Sequence, residues 1–542
     1  MSKYLTSSFD FRKILATLYF AGCFIFFAFF YQYHLYHIEQ VQLFRLSRDY
    51  IMEYFHKPAS ISSLIGDFLT QFYFLKFGGA VIITSCLFLL WYLLDSIISI
   101  LFSWKHSYIF SFLATAIVTS LHFSIYYPLG ATISIILALV IFRFYILFTG
   151  RNRIICGLIL VPVLYLATGF AVHLFLLLVL LYELKLKQIK SWLRWAYIFI
   201  LILIVLILPV SVRSYFYLTA RQAYQYPINE LIKPIPDFKL ESWFSLDCEW
   251  YFNHPDKVIK LARKYPRLNL IVSYYHNLAS AAVNKLPENL LLFNQQGMNG
   301  MFIPYNYGTD YISVIFGNEV YYFIGDINAS QHFALMANTG SPKCASSRMT
   351  RRLVETNIIN GEYAAAGKYI KMLKQTIFHR QWAHNMEQYL YNDELCSSTP
   401  WIARKRAQIP LTDHINADTD YFISTLYYLL EDHPDNRAAL DYFLCSCLLH
   451  KDIVSFYNAI MDYGYPEINL PELYQEALIV YFEQNKEDKN FKNFRFSNKV
   501  IQHLMSYEKK FYQSKGNKKA LVQDFGSTYW FYYHFADVPG QK

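Results

Sequence analysis

The sequence predicts an all-α protein in two parts: a polytopic helical membrane domain of seven spans, N-terminus inside and C-terminus outside, followed by an external α-solenoid of helical hairpins. Three observations predict it. The 542 residues are 55% hydrophobic and only 16% charged, with a mean hydropathy of +0.20, values a soluble chain rarely combines. The apolar residues crowd the first two-fifths of the chain in runs near the ~20 residues one bilayer crossing needs. Beyond them apolar positions become periodic, and turn signals recur at a spacing of about 34 residues, the mark of stacked helical pairs.

The membrane half is predicted as residues 1–213. Lys3, Arg12 and Lys13 precede the first apolar run. Phe20-Ala21-Gly22-Cys23 faintly resembles a lipoprotein cleavage box, but Phe24-Ile25-Phe26-Phe27 follows where a mature lipoprotein turns polar, so the start is expected to be an uncleaved anchor. Spans are expected at 14–31, 79–102, 108–126, 129–148 and 195–212. The stretch 154–184 exceeds one crossing, and Ala167-Thr168-Gly169 in its middle predicts a tight reversal; one long tilted helix is the competing reading. Charge decides between them. With two spans there, Lys3, Arg12, Lys13, Lys105, Arg151, Arg153, Lys185, Lys187, Lys190 and Arg194 all fall on one side, while the opposite turns at Tyr127-Pro128 and near Gly169 carry no Lys or Arg. This is the positive-inside pattern. Asp95 and Arg143 lie at similar depth and are expected to pair or to reach the cytoplasmic surface; His122 and His173 read as packed, hydrogen-bonded residues.

The external loop 34–77 carries the chemistry-bearing pattern. Read as one helix, Glu39, Gln42, Arg45, Asp49 and Glu53 recur at steps of three and four on one face, with Arg48 beside them. After Lys57-Pro58-Ala59-Ser60, the residues Ile61, Leu64, Ile65, Phe68, Leu69 and Phe72 form an apolar stripe, as for a helix lying on a membrane surface.

Pro227, Pro234 and Pro236 mark a linker over 214–240. The segment 241–520 reads as a tetratricopeptide-like repeat domain. Gly325-Asp326 closes one helix and opens the next, Asn360-Gly361 does the same 36 positions later, and His254-Pro255 and His433-Pro434 supply further turns. The stretch 297–310, rich in Gly, Asn and Tyr, interrupts the pattern. The tail 521–542 is densely aromatic around Tyr529–Phe535 and is expected to pack as a cap on the last repeat, with the membrane interface or carbohydrate stacking as alternatives.

Several chemistries are absent from the sequence. There is no phosphate-binding G-x-x-x-x-G-K-[ST], no Rossmann glycine run, no H-E-x-x-H and no G-x-S-x-G. The eight cysteines include no C-x-x-C pair, leaving at most an isolated disulfide. The net charge of +9 is spread over loops with no Lys/Arg block, so a nucleic-acid partner is not expected. Asn328-Ala329-Ser330 matches a glycosylation acceptor weakly.

One span, a long external loop with carboxylates just after it, six more spans and an external domain: this plan resembles, over 11–212 and in layout, the GT-C type of membrane glycosyltransferase. The resemblance implies a sugar donor on a polyprenyl phosphate at the outer face of a bacterial inner membrane, a periplasmic C-terminal domain that selects the acceptor, and an acidic residue early in the first external loop. That position is Glu39, with Asp49 and Glu53 as helpers; Gln40 stands where the usual second carboxylate would follow, which leaves a divalent metal open. Independently of that resemblance, Arg45 and Arg48 lie at headgroup level, where they could clamp a phosphate, and a nearby carboxylate could take a proton from an acceptor hydroxyl. Surface ion pairs among these residues are the plainer reading. Phe68-Leu69-Thr70-Gln71-Phe72, Glu355-Thr356-Asn357-Ile358-Ile359-Asn360-Gly361 and Thr528-Tyr529-Trp530-Phe531-Tyr532-Tyr533 resemble segments of an uncharacterised bacterial family of multi-span proteins with helical-repeat tails, which implies architecture and no activity. The alternative function is a non-enzymatic membrane-anchored scaffold whose repeats bind a periplasmic protein partner.

Overall fold

The computed structural model describes residues 2–538 apart from 103–107, 187–190, 266–268, 296, 305–309, 412–418 and 466–469. Lys105, Lys187, Lys190 and part of the 297–310 stretch lie outside the described residues. Among the described residues every regular element is a helix. The chain divides into two compact units: residues Met1–Glu241 with Met372–Gln381, and residues Ser242–Lys371 with Trp382–Lys542.

The first unit runs α1 (Ser2–Ile25), α2 (Gln32–Gln40), α3 (Arg48–Glu53), α4 (Ser60–Thr70), α5 (Gly78–Leu101), α6 (Tyr108–Leu121), α7 (Leu129–Tyr145), α8 (Gly150–Thr168), α9 (Val172–Leu186), α10 (Ser191–Val212) and α11 (Ala220–Gln225). Four stretches are long and apolar enough to cross a membrane: Phe11–Phe30, Gly78–Leu101, Gly150–Leu186 and Trp192–Val212. Tyr108–Leu121 and Leu129–Tyr145 are apolar but shorter.

The 37-residue stretch Gly150–Leu186 is a hairpin. Arg153 Nε lies 2.7 Å from Glu183 Oε1, whereas a straight helix would part residues thirty apart by about 45 Å. The reversal falls at Gly169, whose φ of +59° and ψ of −121° suit a residue without Cβ. A Cβ there would also stand 2.2 Å from the Tyr226 carbonyl oxygen. Arg153, read from sequence as a loop charge, is instead buried with Glu183, which also accepts the Tyr145 hydroxyl at 2.8 Å. Asp95 pairs with Arg12 and accepts the Ser111 hydroxyl at 3.5 Å, so Arg143 is not its partner. His122 meets the Thr132 hydroxyl at 2.9 Å and His173 the Phe170 carbonyl at 2.7 Å, both as packed residues.

α4 packs through a face that its apolar stripe does not include. Its buried face is the small-residue one, Ser60, Ser62, Gly66 and Thr70, while Ile61 is exposed. Those residues seat the helix on α7: the Ser134 hydroxyl donates to the Ser62 hydroxyl at 2.7 Å, and a Cβ on Gly66 would stand 2.3 Å from the Gly130 backbone nitrogen. Small residues four apart on both helices permit this approach. The Ser60 hydroxyl further ties α4 to the Leu166 carbonyl of α8 at 2.9 Å. Gly66→Val is therefore expected to lower stability by about 1–3 kcal/mol through overpacking against backbone, measured as a lower thermal midpoint in lipid nanodiscs, while Ile61→Val leaves it unchanged.

The second unit is a succession of helices joined by tight turns. Tyr311–Ile324 ends at Gly325, with φ +100°, and Asp326 caps Ile327–Gly340 by accepting the Ala329 N–H. Ser347–Ile359 and Tyr363–Lys374 flank Asn360-Gly361. Asn436 caps Arg437–His450. Successive helices pack on one another, and Arg437–His450 also packs on Leu270–Ala282, Leu286–Leu290 and Tyr311–Ile324. The aromatic tail forms a helix, Tyr529–Phe535, whose Tyr529, Trp530 and Phe531 are buried, and it packs on Glu472–Gln484. None of the eight cysteines forms a disulfide.

Candidate functional site

The candidate site lies in the first unit, where the chain leaves α1. A π-helical turn over Phe26–Phe30 ends the apolar run, and Tyr31 breaks the helix with φ −140°. α2 begins next, and its free N-terminal amides are capped from far along the chain. The Glu241 carboxylate accepts the Tyr33 and His34 N–H groups, each at 2.8 Å, a placement that suits negative charge at a helix start. Tyr31 donates its hydroxyl to the Phe123 carbonyl at 2.9 Å and accepts the Asp237 N–H at 3.0 Å. Burial pushes the Glu241 carboxyl up to about 8 against the pull of its two N–H bonds. Burial likewise lowers His34 to about 3, which keeps that ring neutral.

α2 buries His34, His37, Glu39 and Gln40, an unusual load of polar side chains for nine residues. Glu39 is 5% exposed, and its Oε1 lies 3.1 Å from His379 Nε2. His379 is positioned by the segment Met372–Gln381. Its backbone N–H donates to the Thr376 hydroxyl at 3.1 Å, its ring meets Phe74 edge-on at 5.3 Å, and Phe378 stacks on Phe74 at 5.3 Å. The Leu46 N–H adds a bond to the Gln375 carbonyl at 2.7 Å. A histidine held by a buried carboxylate is a proton-handling arrangement: the carboxylate fixes the ring's orientation.

The other carboxylates expected at the site do not join Glu39. α2 ends at Gln40, the next residues bury Val41, Leu43 and Phe44, and a new helix, α3, starts behind Ser47, whose hydroxyl accepts the Tyr50 N–H. The face that a continuous helix would have formed is thereby divided. Asp49 and Glu53 lie exposed on α3. Arg45 is half-buried with its guanidinium 4.7 Å from the centre of the Tyr50 ring, and Arg48 is exposed at the first turn of α3. Among the described residues neither arginine forms an ion pair, so the expected surface pairing with Glu39, Asp49 or Glu53 is not made. Behind Arg45, the Tyr54 hydroxyl meets Tyr50 at 3.2 Å and donates to Asp67 at 2.8 Å.

No three of His, Cys, Asp and Glu gather to hold a metal among the described residues. A divalent ion at Glu39 would thus have Glu39 and His379 as protein donors, short of the usual three or four.

Sequence reasoning missed His379. No periodicity links residues 340 apart; the only local signal was a histidine directly after Phe378 in a segment between helices. It also missed a buried ion network in the second unit. Arg348 places both terminal nitrogens on Asp247, at 2.6 and 2.8 Å, and one on Glu319 at 2.9 Å. Arg352 reaches Glu319 at 2.7 Å and lies 3.6 Å over the Tyr322 ring. The Trp250 indole N–H donates to Glu319 at 3.0 Å.

Residues 8–536 match a family described as a family of unknown function (DUF6057). No curated protein and no solved structure matches the chain.

Proposed function

We propose that this chain, which belongs to the DUF6057 family, is an integral membrane glycosyltransferase that moves a sugar from a polyprenyl-phosphate-linked donor to an acceptor hydroxyl. The single observation that carries the reading is the buried Glu39–His379 pair just past the first apolar helix. In this reading α1, α5, α6, α7, α8, α9 and α10 are seven spans of a bacterial inner membrane, and the second unit, a tetratricopeptide-like helical array, lies in the periplasm and selects the acceptor.

The acceptor hydroxyl attacks the sugar's anomeric carbon as the bond to the donor phosphate breaks. The hydroxyl proton passes to the Glu39–His379 pair, and the lipid phosphate leaves as an anion. Arg45 and Arg48 neutralise that anion at headgroup level through charge-assisted hydrogen bonds. Asp49 and Glu53, exposed on α3, stand at the acceptor's approach rather than at the proton transfer.

The test is transfer of labelled sugar from polyprenyl-phosphate donors in membranes carrying the wild-type chain or Glu39→Gln. The variant is expected to lose about 100-fold or more, the usual weight of general-base catalysis. Unchanged transfer refutes the enzymatic reading. It would leave the membrane-anchored scaffold, which the tightly capped helical succession of the second unit favours.

A further inference from the structure

The second unit holds a cleft that the proposed transfer does not use. It has a volume of about 740 Å³ and is lined by the helix Leu286–Leu290, including Glu288, with the two residues after it, by the N-terminal half of the helix Glu472–Gln484, by the chain leading into Asn498–Gln513, and by Ser527 and Thr528 ahead of the aromatic tail helix. Its lining sets carboxylates, hydroxyls, Arg495 and Lys499 beside leucines, prolines and Phe496, which fits an amphiphilic small molecule better than a lipid chain or a bare ion.

Three features give the cleft a chemical direction. Glu476 lines it and is 6% exposed; one carboxylate oxygen accepts the Tyr529 N–H at 2.6 Å, and no cation pairs with it among the described residues. A buried carboxylate with only an amide partner is costly unless a positive group joins it. Burial accordingly pushes the Glu476 carboxyl up to about 8, with Glu472 adding to the shift. Lys499 pulls that shift down only in part, and its ammonium is held by Glu472 at 2.7 and 2.9 Å. Arg495, on the exposed lip, makes no ion pair among the described residues and offers an unneutralised guanidinium to an anion. Leu473 and Phe496 supply the apolar wall.

A buried carboxyl in the cleft, an exposed guanidinium at its lip and apolar residues in the same lining match one ligand class. We propose that this cleft binds a zwitterion with an apolar side chain, an amino acid or a short peptide, its ammonium on Glu476 and its carboxylate on Arg495. The volume holds two or three residues, within the usual range of ligand pockets. The proposal is independent of the Glu39–His379 chemistry.

The experiment titrates the full chain in lipid nanodiscs with trileucine and with leucine, read by calorimetry. Saturable binding of either supports the proposal, and the tighter of the two says whether peptide or free amino acid is the class. N-acetylation or Glu476→Gln is expected to weaken binding at least tenfold, and C-amidation or Arg495→Ala at least threefold. No saturable heat up to about 10 mM overturns the proposal, as does an acetylated peptide that binds as well as the free one. If Glu476→Gln does not fold, Arg495→Ala decides, because its side chain stands on the exposed lip; undiminished binding by that variant overturns the zwitterion assignment.

Discussion

Arg348→Met is expected to destabilise the second unit by about 3–5 kcal/mol, the cost of removing one partner from a buried charge network. Arg348 is 2% exposed, and its fork is shared between Asp247 and Glu319. Removing it strands Asp247, which is fully buried and keeps the hydrogen bond from the Tyr275 hydroxyl. Glu319 keeps Arg352 and Trp250 and suffers less. Arg348→Lys is expected to fail almost as badly, because a single ammonium cannot meet two carboxylates in the geometry of a planar fork. Differential scanning calorimetry of the full chain checks both variants; a loss below about 1 kcal/mol would show that the network is energetically idle.

The same network sets an acid limit. Burial alone would raise the Glu319 carboxyl, but Arg352 and Arg348 overcome it and hold the group at about 2, below the usual 4.5. A carboxyl depressed in the folded state contributes stability that is present above its unfolded value and lost as pH falls through its folded one. Stability is therefore expected to decline between about pH 4.5 and 2, and Glu319→Gln is expected to flatten that part of the profile while lowering the plateau above it.

The second large effect concerns the pair in α2. Glu39→Gln and His379→Ala are each expected to lower sugar transfer about 100-fold or more, and the double variant to fall little further, since two groups that act as one proton-handling unit do not add. Separate roles would instead give a product of the two losses. Arg45→Ala and Arg48→Ala are expected to act differently, raising the KM for donor more than they lower kcat, because a phosphate clamp serves ground state and transition state alike.

Much of the fold was legible because it rests on local rules. The hairpin at Gly169, the turn at Gly325-Asp326 and the helix Arg437–His450 follow from glycine, side-chain caps and helical periodicity. What failed was any inference that let one pattern run across a break or stand in for a contact. The three-and-four spacing from Glu39 to Glu53 read as one face, yet Ser47 starts a new helix and the intervening residues are drawn into the interior. The packing face of α4, with Gly66 against Gly130, is one to which the apolar stripe did not point. Partners such as His379 for Glu39 and Glu183 for Arg153 depend on packing that no local spacing encodes.

Whether the Glu39–His379 contact performs chemistry or only ties Met372–Gln381 to α2 is decided by measuring transfer and unfolding on the same preparation of Glu39→Gln. The proposal expects single-turnover transfer to fall at least about 100-fold while the thermal midpoint stays within a few degrees of the wild type. Transfer at the wild-type rate, or a loss of transfer that merely follows unfolding, would contradict it.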